Sequence, residues 1–115
     1  MSSLEMTHYT EQDIVVVTPH GDITSATAPQ FGSYLTDAIK GTDTAQVVLD
    51  MSKVYYMSSA GLRDIISGLK TAQRMGGDLH IAGVQCRLQP VFEMVGLDSL
   101  SNFYGSIDEA VQSFS

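Results

Sequence analysis

The sequence predicts an α/β domain spanning residues 1–115, built on a mixed, mostly parallel β-sheet of four to five strands with about four helices. Three observations carry that reading. Short β-branched runs alternate with segments whose apolar residues recur at helical spacing. A polar turn joins the first two strand-like runs, and glycines follow the helical segments where C-terminal caps belong. A chain of 115 residues is long enough for one compact core and too short for two ordinary domains.

The first strand covers residues 6–9, and Glu11, Gln12 and Asp13 form the turn that makes it an antiparallel hairpin with the next. Ile14, Val15, Val16 and Val17 give that second, buried strand, which ends at Pro19. Thr24 or Ser25 caps a helix running to Lys40, with Ala28, Phe31, Leu35, Ala38 and Ile39 on one face and Gly41 as its stop. Pro29 is tolerated because it falls in the first turn. Val47, Val48 and Leu49 form a buried strand leading to Asp50. A second helix runs from Ser59 to about Met75, with Leu62, Ile65, Ile66, Leu69 and Ala72 as its apolar stripe, and Gly76-Gly77 ends it. A strand at 79–82, a helix at 87–95 stopped by Gly96, and a short edge strand at 102–104 follow. Ser106 caps a closing helix that places Ile107, Ala110, Val111 and Phe114 inward.

Successive β-α-β crossovers are right-handed and make their strands parallel. Functional loops of such sheets gather beyond the carboxyl ends of the strands. The expected meeting point is therefore the three loops at 20–25, 51–59 and 83–86.

Composition narrows the chemistry. Thirteen acidic against six basic residues give a formal charge of −7, which disfavours a nucleic-acid partner. A 43% apolar and 17% charged chain is a soluble globular one, no apolar run is long enough to span a bilayer, and residues 1–10 do not have the pattern of a signal peptide. A cytoplasmic protein without a membrane role is expected. The single Cys86 forms no internal disulfide and reads as an inert small hydrophobe; the methionines read mostly as core fillers. His8, His20 and His80 are far apart, so neither a metal site nor another cofactor is expected, and all three read as surface residues. No glycine-rich phosphate loop, nucleophile elbow or His-Glu metal motif occurs. Asp22 and Asp50 can approach Ser59, but an acid and a serine without a positioned base make a weak catalytic set.

The most informative stretch is 50–63, where a strand ends at Asp50, a loop carries Tyr55, Tyr56 and Met57, and a helix opens on Ser58, Ser59, Ala60 and Gly61. A serine hydroxyl at a helix start accepts a bond from a free first-turn N–H, a contribution of about 1 kcal/mol. That accounts for one serine. The same N–H groups and the helix dipole also favour an anion, so a phosphoryl group on the other would sit comfortably while adding nearly two negative charges to the surface.

This segment resembles the phosphorylation loop of the STAS family, whose bacterial anti-sigma factor antagonists carry Asp-Ser-Ser/Thr-Gly-Leu. Anchored on Gly61-Leu62, the resemblance places the phosphorylated serine at Ser59; a register shifted by one would nominate Ser58. Gly21-Asp22-Ile23-Thr24 is similar to the family's Gly-Glu-Leu-Asp turn, Gly76-Gly77-Asp78-Leu79 to its helix-to-strand turn, and residues 91–97 to its Phe-x-x-x-Gly-Leu helix end. Two family aspartates are replaced, by Ser58 and by Thr24.

The resemblance implies partner switching by a protein that is not an enzyme. The unphosphorylated form would bind an anti-sigma factor that is itself a serine kinase with a histidine-kinase-like ATPase fold. Phosphorylation of Ser59 would release it, and a serine phosphatase would reset it. Asp22, Thr24, Tyr56, Met57, Ser58, Ala60, Gly61 and Arg63 are the expected partner-contact residues; Arg63, Lys70 and Arg74, spaced by seven and four on the second helix, read as its solvated outer face in preference to a basic stripe for an acidic partner. A non-phosphorylated scaffold or a module sensing a small anion or nucleotide at the same loops is the alternative.

Overall fold

The architecture follows from how the buried strands are ordered. A computed structural model describes residues 4–114. Strands β1 (Glu5–Glu11) and β2 (Ile14–His20) form the antiparallel hairpin, in register from Glu5 opposite His20 to Glu11 opposite Ile14. The turn is tighter than the sequence suggests. Only Gln12 and Asp13 lie outside the strands, with φ of 55° and 67°, the left-handed pair of a two-residue type I′ turn. Strand β2 continues through Pro19 to His20, because its pairing with β3 covers Val15–Val17 and the missing proline N–H lies past that ladder.

Strands β3 (Gln46–Asp50), β4 (Asp78–Ala82) and β5 (Asn102–Tyr104) add on in parallel, giving the order β1-β2-β3-β4-β5. Because the order never reverses, right-handed crossovers must all pass over the same face. Helices α1 (Ala28–Lys40), α2 (Ser59–Arg74), α3 (Gln89–Met94) and the one-turn α4 (Leu97–Leu100) therefore share one side. Phe31, Leu35 and Ile39 of α1 and Leu62, Ile65 and Leu69 of α2 close the main core over Val15, Val17, Val47, Leu49, Leu79 and Ile81. Each such side chain contributes roughly 1.5–3 kcal/mol by leaving water. Among the described residues, helix α5 (Ile107–Gln112) alone covers the other face, with Ala110 and Val111 on Ile14, Val16, Val48 and Ala82.

Three expectations need correction. Helix α1 begins at Ala28 rather than beside Thr24 or Ser25, since residues 25–27 form a separate turn. The third helix stops before Gly96, at φ +79°, as expected, but it starts at Gln89 rather than at 87, and the one-turn α4, which the sequence did not show, follows at once to bury Leu97. His80 is no surface residue. It is 5% exposed, its ring stacks on Phe114 at 3.9 Å, and Nδ1 lies 2.6 Å from the Ser113 hydroxyl. Nε2 is 3.3 Å from the Asp78 carboxylate, so the ring fastens the end of α5 to the sheet.

Candidate functional site

The three loops beyond the carboxyl ends of β2, β3 and β4 do come together, held by backbone hydrogen bonds. The Gly21 N–H donates to the Lys53 carbonyl at 3.2 Å, Ile23 N–H to Tyr56 O at 3.0 Å, and Ser58 N–H to Ile23 O at 2.7 Å. Ile23 and Met57 thereby form a parallel bridge, extending the sheet by one rung beneath the start of α2. The third loop joins through the Gln85 side-chain amide, which donates to the Ser52 carbonyl. Gly83, at φ +69°, brings it close: a Cβ there would lie 3.1 Å from Ser52 Cβ. Gln85 was not legible as a site residue, since a glutamine that braces a distant carbonyl leaves no spacing signal.

Helix α2 rests on this rung. Ile23 is fully buried and Met57 is 5% exposed. A Cβ on Gly61 would stand 2.7 Å from Ile23 Cγ2 and would also strike the Met57 sulfur. Only glycine lets the first turn come this close. Met57, expected among the contact residues, thus points inward as packing for that turn, and Gly61 is buried with it. Ala60 is half-buried against the core. Tyr55 and Tyr56 face outward, at 53% and 52% exposure.

The two serines divide their work. Ser58 is the N-cap, extended at φ −80° and ψ 165°, and its hydroxyl accepts the Gly61 N–H at 3.2 Å. Ser59 is the first helical residue and is exposed. The first turn of α2 carries no acidic residue, so the positive end of the helix dipole is unmatched by a carboxylate of its own. Arg63 is exposed one turn further along.

The opening loop is held in a similar way. The Thr24 hydroxyl accepts the N–H groups of Ala26 at 3.1 Å and Thr27 at 3.2 Å, and Thr27 Oγ1 accepts the Thr24 N–H at 2.8 Å. This reciprocal pair is a capping box in geometry and sets the turn ahead of α1. Thr27 also donates to the Asp22 carbonyl at 2.9 Å, leaving Asp22 half-buried at the loop edge.

Asp50 does not join Asp22. It is 5% exposed on the α5 face, where its carboxylate accepts the Ser52 N–H at 3.0 Å and the Thr18 hydroxyl at 3.4 Å. A shallow cavity of about 370 Å³ there is lined by Tyr9, Asp50, Ser52, Gly83, Ser106 and Asp108 among others. Burial, then the charges of Glu11, Asp50 and Asp108, hold the Tyr9 phenol above its usual pKa, so this hollow is acidic in character. Another cavity, of about 640 Å³, lies at the far end of the sheet between the first hairpin, the end of α1 and residues 41–44. Cys86 is exposed; of the methionines, Met51 and Met57 are buried and Met6 packs against the core, while Met75 and Met94 are exposed and Met1 lies outside the described residues. Among the described residues no cluster of three metal-ligating side chains occurs, and no helix is long and apolar enough to cross a membrane.

A five-stranded sheet of this order, with a serine-opened helix braced on two of its loops, defines a small α/β module. The chain belongs to the STAS domain family, whose model matches residues 5–110. It is similar to the anti-sigma-B factor antagonist of Staphylococcus aureus, 30% identical over 80 residues that cover 70% of this chain and 73% of that protein. Its fold matches an anti-sigma factor antagonist from Mycobacterium paratuberculosis with a TM-score of 0.86 at 19% identity, covering 97% of this chain and 94% of that one. It also matches the phosphorylated form of the Bacillus cell fate determinant SpoIIAA, with a TM-score of 0.72 at 16% identity over 98% and 100% of the two chains.

Proposed function

We propose that this chain is an anti-sigma factor antagonist, a cytoplasmic partner-switching regulator rather than an enzyme, controlled by phosphorylation of Ser59. The observation that carries the reading is the division between the serines. Ser58 has its hydroxyl committed to the Gly61 N–H, while Ser59 presents its own at the exposed first position of α2. A kinase would form the bond between Ser59 Oγ and the γ-phosphorus of ATP as the bond to ADP breaks, the hydroxyl proton leaving to a base on the kinase. The dianion would sit where helix N–H groups favour it, and the fold beneath, held by backbone bonds, would not need to change.

The unphosphorylated face, with Tyr55, Tyr56, Ser59, Asp22 and Arg63 around the helix start, would dock an anti-sigma factor that is itself a serine kinase with a histidine-kinase-like ATPase fold. A serine phosphatase would restore it. Similarity to the Staphylococcus aureus antagonist and the shared fold with phosphorylated SpoIIAA support this reading. The scaffold or ligand-sensing alternative has less in its favour for an anion or nucleotide, because the hollow beside the loops is lined by Asp50 and Asp108.

Incubation with ATP and the cognate kinase, read by peptide mass spectrometry, tests the proposal. One phosphate on wild type and Ser58→Ala, and none on Ser59→Ala, is the expected result. Wild type left unmodified by a kinase that is active on another substrate would move the assignment to the scaffold reading.

A further inference from the structure

Phosphorylation of Ser59 would do more than add charge, because of what stands one helical turn away. Arg63 follows Ser59 by four residues on α2, so the two lie on the same face, with Cβ atoms about 5–6 Å apart. Helical side chains lean toward the N-terminus, a direction that favours reach from Arg63 back toward the turn that holds Ser59. Both residues are exposed, and Arg63 forms no ion pair among the described residues.

The neighbouring charges leave it available. Asp64, the next residue, turns toward α1, its carboxylate 2.7 Å from where a Cβ on Gly32 would be. Burial there raises its pKa, and the charge of Arg63 offsets this only in part. Asp22 and Lys53 sit on the adjoining loops, and the first turn of α2 adds no carboxylate.

We propose that Arg63 is the built-in counter-ion of a phosphoryl group on Ser59, pairing with it across the first turn of α2. The inference rests on the phosphorylation reading above and deepens it. The switch then has two parts: a dianion appears at the centre of the docking face, and the arginine beside it is withdrawn from any partner that would use it. A planar guanidinium suits this role better than an ammonium, since it can present two parallel N–H groups to two phosphate oxygens.

The test installs phosphoserine at position 59 during translation, so that no kinase is needed. The second phosphate ionisation is then followed by phosphorus NMR against pH, at low salt, in wild type, Arg63→Gln, Arg63→Lys and Arg74→Gln. The expected result is a wild-type midpoint about 0.5 pH unit below that of Arg63→Gln, a roughly threefold change in the ionisation constant. Arg63→Lys should lie between the two, Arg74→Gln should match wild type, and the difference should collapse near 1 M salt as the charges are screened. Equal midpoints for wild type and Arg63→Gln would overturn the proposal. So would an equal shift in Arg74→Gln, which would show the field of the whole helix rather than a pair. Failure of the kinase to modify Ser59 is a separate result that bears on the proposed function and leaves this titration to judge Arg63 alone.

Discussion

The two ends of the sheet's story are held by different means. At the start of α2, backbone bonds from Gly21, Ile23 and Ser58 fix the shape, and the outward side chains of Tyr55, Tyr56, Ser59 and Arg63 are left free. On the α5 face the fastening is made by side chains, with His80 stacked on Phe114 and bonded to Ser113 and Asp78. A surface fixed from beneath by its backbone can gain charge without loosening. One fixed by a polar side-chain network cannot lose a member without leaving partners unsatisfied.

The largest effect should come from forcing the two regions to respond alike. Gly61→Val places branched carbons against Ile23 and Met57, and a loss of about 2–3 kcal/mol in urea unfolding is expected, with partner binding lost as the first turn shifts. His80→Ala removes the stacked ring and opens a gap under Phe114, for a loss of about 2 kcal/mol, while phosphorylation of Ser59 continues at the wild-type rate. A fall in phosphorylation equal to the fall in stability would erase the distinction between the regions. Ser58→Ala deletes the cap and should cost about 1 kcal/mol, again by urea midpoint. Ser59→Asp should move stability by less than about 0.5 kcal/mol yet abolish binding of the anti-sigma partner in calorimetry. A large stability loss in Ser59→Asp would mean that the helix start is not the tolerant surface described.

The smallest effect concerns Asp64. Its pKa is raised in the folded protein, chiefly by burial beside α1, so the folded state holds its proton more tightly than the unfolded chain does. The contribution to stability is fully present below the unfolded value of 3.8 and is lost as pH rises through the folded value. Asp64→Asn should therefore lose stability relative to wild type as pH falls toward 3 and be no less stable than wild type at pH 7. Parallel urea midpoints between pH 3 and 7 for the two proteins would contradict this.

Much of the fold was legible because it is local. The run from Ile14 to Val17 and the stripes of α1 and α2 announce themselves within a few residues, and they place the three loops at one end of the sheet. What the sequence hid depends on long-range partners. His80 is buried by Phe114 and Ser113, more than thirty residues away, and no periodicity reports that. Helix α4 buries one leucine and is too short to show a stripe. At the site, the serine pair and the tyrosines were visible as types, yet their roles turn on direction. Met57 and Tyr56 are neighbours in a loop, and the parallel bridge with Ile23 sends one inward and the other out.

The rung between Ile23 and Met57 has a consequence for how such proteins are kept apart when several share one cell. Because the shape of this end is set from below, the outward letters at 55, 56, 59 and 63 can be rewritten with little penalty to folding. Under the proposed function, modules that share one scaffold would be told apart by their partners through a few surface side chains. Transplanting those four positions from one relative to another is the shortest route to redirecting a signal without redesigning the protein that carries it.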